Sequence, residues 1–184
     1  MSGRAKAGSK ALRIALQTEN DGIKLYTTAS EKTTHPFGKK LFLSLVEDEK
    51  SHIRMIESMA EGMGMSAALA AAREGTPRKR ISTIFSECKE DLAERVSASE
   101  DELEVLKLAM EYESRGYEYY KKAARETGSS DERALFERLA LEENEHYQVL
   151  ESTREYLDQT GKWFLWDEQA LLTGDSLGGP QAKG

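Results

Sequence analysis

Displaced by 94 residues, the chain overlays itself. Glu19, Gly22, Tyr26, Ala29, Thr33, Leu41, Phe42, Leu45, Glu49, His52 and Glu57 meet Glu113, Gly116, Tyr120, Ala123, Thr127, Leu135, Phe136, Leu139, Glu143, His146 and Glu151. These are 11 identities over the 39 positions from 19 to 57, without a gap. Self-similarity at a fixed offset means that one structural unit is built twice. The two copies are expected to face each other across a pseudo-twofold axis.

Each copy reads as a pair of helices. Leu12, Ala15, Leu16, Ile23, Tyr26 and Ala29 recur at helical spacing from about Lys10 to Lys32, and Leu41, Leu45, Ile53, Ile56 and Met59 do so from Pro36 to about Glu61. No run alternates with the period of a strand. Pro36 suits the first turn of a helix and Gly62 and Gly64 suit an end. A third helix is expected from Ser99 to about Glu126 and a fourth from Ser129 or Ser130 to about Gln159, each opened by a Ser-x-x-Glu capping box, Ser99 with Glu102 and Ser129 with Glu132. Between the pairs, Met63 to Ala98 reads as a long crossover with short helices, in which Arg78, Lys79 and Arg80 form a solvated turn. After Gly161 a Trp-rich stretch, residues 162–166, is expected to pack back on the bundle. We therefore expect one all-α domain over residues 1–168 and a loose Gly-rich tail over 169–184. Helix pair, long connection, helix pair is the order of a four-helix bundle with one crossover.

The balance of charge removes whole classes of function. With 26 Lys+Arg against 33 Asp+Glu, the formal charge is −7, the wrong sign for a protein that neutralises phosphates, and no nucleic acid partner is expected. No apolar run approaches the roughly 20 residues of a membrane span, and Met1 to Lys10 lacks the apolar core of a signal peptide. The expected setting is the cytoplasm, away from membranes. Cys88 is the single cysteine, so no disulfide framework, Cys-x-x-Cys pair or Cys-rich metal site forms within one chain.

The repeat carries its chemistry in the residues that agree. Glu-x-x-Gly-x-x-x-Tyr recurs on the first and third helices, and Glu-x-x-His on the second and fourth. Residues three or four apart share a helix face. Leu45, Glu49, His52 and Ile56 therefore form one stripe, and Leu139, Glu143, His146 and Leu150 form its copy. Glu19 shares the apolar side of its helix with Ala15, Leu16, Ile23 and Tyr26, and Glu113 shares its own with Ala109, Met110, Gly116 and Tyr120. Four carboxylates are thus aimed into one core, where without partners they would repel or take up protons. Bound cations remove that conflict. Four Glu and two His match the di-iron or di-manganese site of ferritin-like carboxylate proteins, and hard oxygens with imidazole suit iron, manganese or zinc. The other acids, Glu47, Asp48, Glu57, Glu111, Glu142, Glu145 and Glu151, are read as solvated faces. His35 is read as a surface or cap residue.

With its paired Glu-x-x-Gly-x-x-x-Tyr segments, its paired Phe-x-x-Leu-x-x-x-Glu-x-x-His segments and a terminal Gly-Lys-Trp-Phe, the chain resembles the rubrerythrin branch of the ferritin-like superfamily over residues 10–168. The resemblance implies two irons bridged by Glu49 and Glu143, with Glu19 and His52 on one metal and Glu113 and His146 on the other. It also implies that Tyr26 and Tyr120 hydrogen-bond ligand carboxylates at the reacting centre. Two departures stand out. Full-length rubrerythrins append a rubredoxin domain with two Cys-x-x-Cys pairs, which one cysteine does not supply, so a rubredoxin-like or flavoprotein donor from outside is implied. Typical members also carry a further carboxylate where this chain has Gly116, which brings the ligand set closer to that of bacterioferritin.

The expected activity is a di-iron oxidoreductase that reduces hydrogen peroxide, or dioxygen, in a homodimer or small homo-oligomer. The alternative is a ferroxidase or iron-handling protein of ferritin type, whose tail resembles peptides that load cargo into bacterial nanocompartments.

Overall fold

The computed structural model describes residues 9–80 and 100–160. Among them are the helices α1 Lys10–Lys32, α2 Pro36–Ala60, α3 Gly64–Ala71, α4 Glu100–Glu126 and α5 Ser130–Thr160, a helical turn over residues 77–80, and no strand. Cys88, the Trp-rich stretch and the proposed tail lie outside the described residues.

The helix ends follow from local chemistry. Ser9 caps α1 by accepting from the Leu12 amide at 3.2 Å. His35 caps α2: its Nδ1 accepts from the Phe37 amide at 3.2 Å, Pro36 follows in the first turn, and the ring is buried. Gly62 (φ +78°) ends α2 in the left-handed region that glycine enters freely. Ser129 accepts from the Glu132 amide at 3.3 Å, as its capping pattern predicts. Ser99 lies outside the described residues, and Glu102 is buried and accepts from the Thr34 amide (3.0 Å) and hydroxyl (3.2 Å). Glu102 therefore ties the start of α4 to the turn between α1 and α2.

α1 packs along α2, and α4 along α5, as two pairs that close on each other. The apolar stripes meet in two separate cores, one at each end of the bundle. One gathers Tyr26, Leu41, Phe42, Leu45, Leu106 and Leu150, and the other Leu12, Ile56, Tyr120, Leu135, Phe136 and Leu139. Repeat-related residues fall in opposite cores, which is what a twofold axis across the bundle requires. The stacked pairs Tyr26–Phe42 and Tyr120–Phe136 show it directly, with ring centroids 6.3 and 6.1 Å apart and interplanar angles of 17° and 16°. Each such ring adds a few kcal/mol of burial, of order 2 kcal/mol, so both ends are held firmly while the middle is left to polar groups.

Candidate metal centre

Between the two cores lie six buried side chains, two from α2, two from α5 and one each from α1 and α4. Glu19, Glu49, His52, Glu113, Glu143 and His146 are all 0–1% exposed. They form two overlapping groups: Glu19, Glu49, His52 and Glu143 offer ligand atoms within 4.8 Å of one another, and so do Glu49, Glu113, Glu143 and His146. Glu49 and Glu143 belong to both groups. All six residues singled out in the sequence are brought together.

The geometry repeats the twofold. His52 Nδ1 lies 3.1 Å from Glu19, 3.3 Å from Glu49 and 3.3 Å from Glu143, and His146 Nδ1 lies 3.4 Å from Glu113. The two imidazoles stack with centroids 5.7 Å apart. The Tyr26 hydroxyl donates to Glu113 and the Tyr120 hydroxyl to Glu19, each reaching across from one repeat to the other. Both tyrosines thus bond carboxylates of the cluster. Glycine makes the crowding possible. A Cβ on Gly22 would sit 3.2 Å from Glu49 Oε1, and one on Gly116 would sit 3.0 Å from Glu143 Oε2.

A scan against protein families matches Rubrerythrin over residues 10–153. The chain belongs to the rubrerythrin family. No curated protein and no solved structure matches it. For a rubrerythrin-family chain the donor set makes chemical sense with two cations in it. Both carboxylate oxygens of Glu49, one each of Glu113 and Glu143, and Nδ1 of His146 are buried without a hydrogen bond. Such atoms are rare in folded proteins and call for a partner. Two divalent ions would balance the four carboxylates and take up these lone pairs.

Without cations the charges conflict. Burial pushes the carboxyls of Glu49 and Glu143 well up, and the neighbouring carboxylates, first Glu19 for the one and Glu113 for the other, push the same way. For Glu19 and Glu113 burial also acts upward, but His52 and His146 respectively, with the surrounding hydrogen bonds, outweigh it and leave both below the ordinary range. Burial would lower His146, yet Glu113 and Asp48 raise it to about 10. The metal-free centre therefore shares protons among carboxyls and imidazoles.

Two acids read from the sequence as solvated are part of this rubrerythrin-family centre. Asp48 is 0% and Glu142 7% exposed. Asp48 Oδ2 lies 3.3 Å from His146 Nε2 and Glu142 Oε2 lies 3.3 Å from His52 Nε2, so each acid faces the outer nitrogen of the other repeat's histidine. An acid in that place sets the tautomer and direction of an imidazole ligand. A signal was present: 48 and 142 also stand 94 apart, each just before the Glu of Glu-x-x-His, but one is Asp and the other Glu. Counting identities passes over such a pair.

The turn read as solvated is exposed at Lys79 but is corrected at Arg80. Arg80 is only 9% exposed, with Nη2 2.8 Å from Asp48 and 3.6 Å from Glu142. Its Nη1 donates to the carbonyls of Glu74 and Gly75 at 3.2 and 2.6 Å. Arg73 adds a bond to Asp48 at 2.7 Å and Arg138 one to Glu142 at 2.6 Å. Against these cations and the histidines, the burial that would raise Asp48 and Glu142 is overcome, and both are held at about 2. Glu47, Glu57 and Glu111 are exposed as expected, and Glu145 and Glu151 are half-buried. Among the described residues no helix is long and apolar enough to cross a membrane.

Proposed function

We propose that this chain is a non-haem di-iron oxidoreductase that reduces hydrogen peroxide with electrons from an external rubredoxin-like or flavoprotein donor. The observation that carries this reading is the cluster itself: six buried donors in two groups, several of whose atoms make no hydrogen bond. In it Glu49 and Glu143, the members common to both groups, would be shared between the two metals. Glu19 with His52 and Glu113 with His146 would hold one metal each, with the Nδ1 atoms turned toward the carboxylates. Manganese or zinc can substitute in such a donor set. A pair of ferrous ions, when bound, supplies two electrons that with two protons take one hydrogen peroxide to two molecules of water.

The chain's own residues hold and orient. Tyr26 and Tyr120 keep their protons, because burial first and the adjacent carboxylates next hold both phenols well above their ordinary value. As fixed donors they pin one oxygen each of Glu113 and Glu19. Asp48 and Glu142 hold the imidazoles from behind, and the two aromatic cores keep bulk water from both ends. We place the protein in the cytoplasm as a homodimer or small homo-oligomer.

One observation favours a second reading. Where typical members of the family carry a further carboxylate, Gly116 leaves the space to Glu143, and that simpler donor set also suits a ferroxidase that handles iron for storage. Stopped-flow oxidation of protein loaded anaerobically with two Fe(II) per chain separates them. Faster reaction with equimolar peroxide than with dioxygen, ending in a soluble diferric centre that a reductant recycles, supports the peroxidase. Preference for dioxygen, with further Fe(II) turned into mineral, supports iron handling.

A further inference from the structure

The two repeats agree at every residue of the six-donor cluster and disagree at the residue that covers it. On one side a Cβ added at Gly22 would lie 3.2 Å from Cε1 of Tyr112, whose ring closes over this glycine and whose hydroxyl donates to the Thr18 carbonyl. The repeat counterpart of Tyr112, 94 positions earlier, is Thr18 itself. Its side chain is short and turns back on its own helix, donating to the Ile14 carbonyl at 3.1 Å. No ring from α1 answers the one from α4.

The consequence appears at Gly116. The three nearest neighbours of a Cβ placed there are all atoms of Glu143, at 3.0, 3.4 and 3.5 Å. On its other side Gly116 lines a cavity of about 640 Å³ between α1 and α4, shared with Thr18, Tyr112, Ile14 and Arg115. One residue without a side chain therefore separates this cavity from a carboxylate common to both ligand groups. Access is one-sided even though the cluster is twofold.

We propose that small oxidants reach the metal pair from the α1/α4 face, through the cavity over Gly116, and that Tyr112 closes the equivalent approach over Gly22. The inference rests on the di-metal reading given above. The cavity opens to solvent, and its walls set Ile14, Tyr112 and Tyr119 beside Arg13 and Arg115, so it has room for a hydroperoxide, R–OOH, with R extending beyond hydrogen as well as for hydrogen peroxide. A glycine at the inner wall keeps the last step short, because position 116 puts no side chain between the cavity and Glu143.

Two exchanges across the pseudo-axis test the route. Thr18→Tyr gives α1 the ring that α4 already has, and Tyr112→Thr removes it from α4. Co(II) uptake by the apo-proteins counts the ions per chain, and the visible spectrum reports their ligand geometry. Azide association with the diferric protein, followed by its absorption band, then reads access independently of turnover, and cumene hydroperoxide reads it for a bulky oxidant. Thr18→Tyr is expected to bind two Co(II) with an unchanged spectrum and to slow azide and cumene hydroperoxide by about tenfold or more, while Tyr112→Thr speeds both several-fold. A Thr18→Tyr protein that binds two Co(II) and takes up azide at the parental rate overturns the proposal. Should Thr18→Tyr not fold, Tyr112→Thr decides, since an unchanged azide rate there overturns it equally. If the parent itself takes up no Co(II), the di-metal reading fails and the route falls with it, a result visible before any azide is added.

Discussion

Asp48 on α2 lies 3.3 Å from Nε2 of His146 on α5, so an acid of one repeat aims the imidazole of the other. Glu142 on α5 stands at the same distance from Nε2 of His52 on α2. Removing such a partner weakens metal binding by about 10–100-fold. Asp48→Asn should therefore weaken the ion on the His146 side while the His52 side keeps its affinity, and Glu142→Gln should do the reverse. Co(II) titration of each variant should resolve one tight and one weak ion per chain. Two equally weakened ions in both variants would refute the pairing.

The same aspartate, together with Glu142, contributes to stability in acid. Its carboxyl is held at about 2 against an ordinary 3.8, because His146, Arg80 and Arg73 outweigh burial. With the folded value below the unfolded one, its stabilisation is complete above about pH 4 and is lost as the pH falls toward 2. A shift of this size corresponds to about 2 kcal/mol. Urea unfolding of the apo-protein between pH 5 and pH 2 should show a steeper fall for the parent than for Asp48→Asn. Parallel curves would mean that another group controls the acid limb.

Glu49→Ala and Glu143→Ala should each abolish binding of the metal pair, since each residue serves both groups. Yet neither should destabilise the apo-protein as an ordinary core truncation does, because each removes a buried acid from among others that raise its pKa. Elemental analysis beside thermal melts checks both halves. Two ions bound per chain at parental affinity in either variant would disprove the bridging roles.

Gly116→Ala separates helix stability from site fit. Alanine favours the helix interior over glycine by up to about 1 kcal/mol, so the apo-protein should melt no lower than the parent. Its Cβ, 3.0 Å from Glu143 Oε2, should displace that carboxylate and cut Co(II) affinity with a changed visible spectrum. An unaltered spectrum and affinity would show that Glu143 yields freely.

The six clustered donors were legible because they are identical in the two repeats and sit on apolar stripes, two signals that rarely coincide by chance. The helices around them were legible from period and caps. Asp48 and Glu142 were not, since each adjoins another acid on a charged helix, Glu47 and Glu49 for the one and Glu143 for the other, and the pair differs by a methylene. Arg80 had no local signal at all: it stands among basic residues after a Gly-Thr-Pro break, and only the return of the crossover onto α2 and α5 brings it between two carboxylates. Glu102 likewise fits a capping pattern in sequence, and nothing local announces its bond to Thr34, a residue 68 positions away.

Tyr26 serves Glu113, Tyr120 serves Glu19, and each outer acid serves the opposite histidine, so one helix pair alone holds an incomplete shell, while two copies of the same pair would complete each other. Two identical pairs would offer only identical sides. Within one chain the halves are free to differ, and they do where Thr18 stands opposite Tyr112 and where Arg80 lies between Asp48 and Glu142.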